Sequence, residues 1–114
     1  MASLAEAIGE RRLAHLVTVG GGPHVTVVEV RLEGDRLALA GVGSRSTANL
    51  RANPAVTLLW QPPAEGERGL IVDGTATVDG DVVRVSPTKA ILHRPALDDE
   101  GIPAGSDCLT VDLA

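Results

Sequence analysis

Ser44-Arg45-Ser46-Thr47 places three hydroxyls and one guanidinium in four consecutive positions. These residue types hold anions: hydroxyls donate single hydrogen bonds, and a guanidinium donates a planar fork. The segment opens a stretch, SRSTANLRAN (44–53), with helix chemistry, in which Ala48 and Leu50 favour the helix and Pro54 ends it. A helix start adds unsatisfied N–H groups and the positive end of the dipole, both of which favour a bound anion. The plainer alternative is an ordinary helix with Ser44 as its cap and a solvated Arg45.

The other reactive residue types are scattered. His15, His24 and His93 are far apart, and no paired His or Cys spacing accompanies them, so no metal site is expected. Cys108 lies in an apolar segment with no base beside it and reads as a small hydrophobe. Gly20-Gly21-Gly22 is not followed by Lys-Ser/Thr and a helix pattern, so it reads as a turn. Asp98-Asp99-Glu100 reads as a solvated run. Trp60 ends an apolar run and reads either as core or interface, or as a wall of a ligand cleft.

The elements that must position these residues are mostly strands. Residues 2–12 read as a short amphipathic helix with Ser3 as N-cap. LAHLVTV (13–19) and HVTVVEVRL (24–32) form a hairpin around Gly20–Pro23, and Glu33-Gly34-Asp35 turns the chain into RLALA (36–40). After the helix come AVTLLW (55–60), a Pro-containing loop (61–67), GLIVDGTATV (69–78) and, through Asp79-Gly80, DVVRV (81–85). TKAILH (88–93) continues or follows that strand after a kink at Pro87. Residues 94–107, with two prolines and two glycines, read as an extended tail, and CLTVDL (108–113) as an edge strand.

The 114 residues suit a single domain, 1–114. Meandering strands around one short helix are not a βαβ alternation; they favour a mainly β barrel or sandwich. The chain has no Phe or Tyr and a single Trp, so Val, Leu, Ile and Ala must fill the core. LAHLVTV and AVTLLW are apolar on both faces; one face fills the barrel and the other needs a cover, which predicts a homodimer. A net charge of -5 and the lack of aromatic stacking platforms argue against nucleic acid. No apolar run is long enough to span a membrane. One cysteine and no signal-like start make a cytoplasmic location the expectation.

Residues 22–60 resemble the heart of the flavin-binding split-barrel family typified by pyridoxamine 5′-phosphate oxidase. The matching features are a hairpin and third strand, then Ser44-Arg45-Ser46, Asn49-Leu50 and Asn53-Pro54, then the strand Ala55–Trp60. LIVDGTATV (70–78) resembles the family's later strand ending in a Val-acid-Gly turn, and the likeness spans roughly residues 10–93. It implies a split β-barrel of the FMN-binding type, a homodimer, and FMN or a deazaflavin in a cleft between subunits, with its phosphate near the helix start. Carried onto this chain, the cofactor-binding residues would be Ser44, Arg45, Ser46, Thr47, Asn49 and Trp60.

Where pyridoxamine phosphate oxidases carry Lys after Ser-Arg, this chain has Ser46, and the second strand offers His24 and Glu29 in place of Arg and Lys. These departures point away from oxidation of pyridoxamine phosphate. Two readings stay open: a flavin- or deazaflavin-dependent oxidoreductase, and a non-catalytic dimeric barrel with a vestigial cleft that binds a small anion or nothing.

Overall fold

The computed structural model describes residues 1–113. Helix α1 (Leu4–Ile8) is shorter than the expected 2–12 because Gly9 ends it with a positive φ of 51°. Its start is a capping box: Ser3 Oγ accepts from the Glu6 N–H at 3.1 Å, and the Ser3 N–H donates to Glu6 Oε1 at 3.2 Å. Leu4, Ala7 and Ile8 bury one face, as their helical spacing requires.

Strands β1 (Leu13–Thr18), β2 (His24–Glu33) and β3 (Arg36–Ala40) form the expected antiparallel meander. Helix α2 (Gly43–Ala52) follows, then β4 (Ala55–Trp60), β5 (Gly69–Asp79) and β6 (Val82–Leu97). Pairing runs β3-β2-β1-β4-β5-β6, and β3 pairs with β6, closing a six-stranded antiparallel barrel. Period-two alternation fills it: Ala14, Leu16, Val28, Leu37, Leu58, Trp60, Leu70, Val72 and Val85 all turn inward.

The expected tail at 94–107 is corrected. β6 runs on to Leu97, and β7 (Pro103–Thr110) pairs back along it, so 94–107 is mostly a hairpin. The turn is built by Asp98, whose Oδ1 accepts from the N–H groups of Glu100 and Ile102, both at 2.9 Å. The prolines fit at the margins. Pro95 adjoins a register irregularity, and Pro103 opens the edge strand. That strand is thus 103–110 rather than 108–113. The kink expected at Pro87 is a bulge opposite Asp73/Gly74, through which β6 continues unbroken. The first part of β6 pairs with β3 and its far half with β7, so the barrel opens where one neighbour is exchanged for the other.

Among the described residues, no helix is long and apolar enough to cross a membrane.

Candidate functional site

The last strand turn before α2 is Gly41-Val42-Gly43, with φ of 83° at Gly41 and 80° at Gly43. A Cβ at either glycine would meet nothing within 4 Å, so the positive φ, not crowding, requires glycine. The helix begins at Gly43, with Val42 as its N-cap and no side chain capping it. Ser44 is therefore not the cap. Its side chain is exposed, and the first amides of α2 carry no side-chain acceptor.

A cleft of about 800 Å³ opens beside this helix start, between β2, β3 and β6. Ser44, Thr47 and Arg51 line it from the helix, Arg31 and Glu33 from β2, and Asp81 and Arg84 from the β5–β6 turn and β6. The register explains the grouping: Ala38 of β3 pairs with Arg31 on one side and Arg84 on the other. The small Ala38 side chain leaves room between two guanidiniums. Glu33 Oε1 accepts from Arg84 Nε at 3.1 Å, and its Oε2 lies 3.6 Å from Arg31. Arg51 has no ion pair among the described residues. Three guanidiniums against the carboxylates of Glu33 and Asp81 leave one positive charge in excess, in a chain of net charge -5.

The six residues proposed from sequence part company here. Ser44 and Thr47 reach the cleft. The Thr47 hydroxyl already donates to the Gly43 carbonyl at 2.7 Å, so it can only accept from a ligand. Arg45 is exposed but does not line the cleft. Ser46 is 1% exposed and faces the interior, where its Oγ has no hydrogen-bond partner. It is not placed to hold a phosphate at the surface. Asn49 is also buried: Nδ2 donates to Thr18 Oγ1 at 3.0 Å and to the Gly22 carbonyl at 3.1 Å, and Oδ1 accepts from the Gly21 N–H at 2.9 Å. Its role is to tie α2 to the glycine turn. Trp60 is 0% exposed inside the barrel, which removes it as a cleft wall within this chain.

Arg31, Arg51 and Arg84 were missed. The signal for Arg31 was present, since alternation puts it on the outer face of β2 with Glu33. Arg84 joins them only through the β3–β6 closure. Glu29 does not line the cleft and instead pairs with Arg12 at 3.3 Å.

A second cleft, of about 660 Å³, lies between residues 62–67 and the β6–β7 hairpin. At its edge Asp107 accepts from Arg68 at 2.9 Å and from Arg94 at 2.8 Å. These bonds, that from Arg68 first, hold the Asp107 carboxyl below its usual range. No group of three or more metal-ligating side chains occurs among the described residues.

Comparison with known proteins places this geometry. An uncharacterized protein of Mycobacterium bovis, Mb0449c, is 35% identical over 124 residues, covering 93% of this chain and 87% of that protein. A solved structure described as F420 Reductase superposes with a TM-score of 0.63 at 20% identity, covering 75% of this chain and 94% of that one. A FAD-binding protein from Mesorhizobium loti superposes at 0.65 and 14% identity, covering 75% and 88%. At these identities the two structures speak to the fold alone, and both carry the barrel described above. The model of the pyridoxamine 5′-phosphate oxidase family matches residues 2–95, which takes in the barrel, the helix start and the cleft, and the chain belongs to that family.

Proposed function

We propose that this protein binds a flavin nucleotide or a deazaflavin in the cleft at the start of α2 and acts with it as an oxidoreductase. The observation that carries this reading is the cleft itself: uncapped helix amides, the Ser44 hydroxyl, and Arg51 and Arg84 converge on one opening of about 800 Å³. A phosphate there would be held by the amides and the dipole, with charge-assisted bonds from the arginines. The family membership and the names of the two structural neighbours support the same class of ligand. When bound, the cofactor supplies the redox chemistry, and the protein's part is to bind and orient it.

The working unit in this reading is a homodimer. Strand register lines up Val27, His15, Leu59, Ile71 and Ile91 in one outward-facing row across five strands, with Val25 and Val17 beside it. Val25 and Val27 are 55% and 51% exposed. A row of aliphatic side chains, interrupted only by His15, over the closed side of a small barrel is what a second copy would cover.

A second reading is favoured by Glu33 and Asp81, which line the same cleft and offset its cations: a non-catalytic barrel whose vestigial cleft holds a small anion or nothing. The visible spectrum of freshly purified protein, followed by calorimetric titration with FMN and with a deazaflavin at one fixed salt concentration, separates the two. Binding of either, weakened about tenfold or more by Arg51→Ala, supports the first reading. Absence of binding to both leaves the second.

A further inference from the structure

His93 of β6 and Cys108 of β7 are direct cross-strand partners, and the imidazole Nδ1 stands 3.1 Å from the thiol Sγ. Sequence alone offered no base for this cysteine, because fifteen residues separate the two. The hairpin that replaces the expected tail brings them together. The apolar segment around Cys108 reads as that of a small hydrophobe. Cys108 is exposed, on an edge strand whose other side has no partner strand among the described residues. The His93 imidazole makes no other hydrogen bond among the described residues. Arg94 and Asp107, the adjacent charged residues, alternate to the opposite face, where they bond each other. The pair thus combines an exposed thiol with an imidazole in reach of its proton, on the same sheet face as Ile91 and beyond the end of the apolar row.

We propose that Cys108 is a covalent modification site that exchanges with low-molecular-weight disulfides, with His93 as its base. In the step, Nδ1 takes the thiol proton as Sγ attacks one sulfur of the disulfide. The Sγ–S bond forms, the reagent's S–S bond breaks, and its other half leaves as a thiolate with the bonding electron pair. That thiolate then takes a proton. Cys108 is oxidised to a mixed disulfide, and the departing half of the reagent is reduced to a free thiol. The chain has no second cysteine to resolve the product internally, so the adduct persists until an external thiol attacks it. The site lies on the far half of β6 from the cleft at α2 and does not depend on a cofactor there.

The test uses the full chain. The rate of reaction with 5,5′-dithiobis(2-nitrobenzoate) is followed by absorbance for native protein and for the same protein unfolded in urea at the same pH. Adduct formation with glutathione disulfide is followed by intact mass. The native thiol is expected to react at least about tenfold faster than the unfolded one. His93→Gln should bring the native rate down to the unfolded level, and added imidazole should restore part of the rate in His93→Ala. Cys108→Ser should abolish the mass gain. A native rate no higher than the unfolded rate overturns the proposal without recourse to any variant. So does an unchanged rate in a folded His93→Gln protein, or absence of the glutathione adduct.

Discussion

Asn49 of α2 and Gly20 after β1 are in such close contact that a Cβ on Gly20 would fall well inside van der Waals contact distance of the Asn49 carbonyl oxygen. The same asparagine bonds Gly21, Gly22 and Thr18. The glycine turn is therefore the seat on which α2, and with it the cleft, is positioned. Gly20→Ala should lose about 1–3 kcal/mol through overpacking. Asn49→Ala should cost about 1–3 kcal/mol for each buried group left without a partner. Urea unfolding of both variants measures this, and a wild-type midpoint for Gly20→Ala would contradict the contact.

Ser46 behaves as a core position. Its hydroxyl is buried without a partner, so Ser46→Ala should leave stability unchanged or raise it by up to about 1 kcal/mol. Ser46→Lys should cost about 3 kcal/mol or more, because it buries an unpaired charge. Thermal melts of the two variants distinguish this from a surface phosphate contact, at which lysine would be tolerated.

Trp60 is a probe as well as a core residue, since it is the only aromatic side chain. Full burial predicts blue-shifted emission with little quenching by acrylamide. Trp60→Ala should destabilise by about 3–5 kcal/mol, whereas Trp60→Phe should cost much less because the indole N–H has no partner to lose. Emission at the wavelength of the unfolded chain would place Trp60 outside the barrel.

Asp107 sets a pH dependence. Its folded-state pKa is lowered from 3.8 by Arg68 and then Arg94, so the folded state binds fewer protons than the unfolded one between the two values. Its stabilising contribution is complete above the unfolded value and is lost as pH falls through the folded one. Asp107→Asn should flatten the acid limb of a plot of unfolding midpoint against pH below about 4. An acid limb identical to wild type would mean that these arginines do not hold the carboxyl in solution.

The apolar row across the barrel predicts the oligomer. Sedimentation equilibrium should give twice 11.7 kDa for wild type. The double variant Val25→Lys, Val27→Lys should give 11.7 kDa with an unchanged circular dichroism spectrum, because two exposed valines become charges on the proposed contact face. A wild-type monomer at micromolar concentration would remove the homodimer.

Local signals in the sequence determined most of the elements. Ser3, Glu33-Gly34-Asp35, Asp79-Gly80 and Pro54 each act on the backbone within a few residues, whereas β1 and β4 are apolar on both faces and only the closed barrel decides which face turns inward. The order of residues 22–60 also carried the family. Other features are long-range. The β3–β6 closure brings Arg84 to Arg31, and no local pattern encodes that pairing. Which side of α2 faces the barrel decided that Ser44 meets the cleft while Ser46 and Asn49 meet the core. Neighbours in a helix differ by about 100° in direction, so adjacency in a motif says little about a shared surface. The hairpin at residues 94–107 was hidden because its prolines and glycines resemble a loop. Only pairing with β6, begun by the Asp98 turn, made it a strand and set His93 beside Cys108.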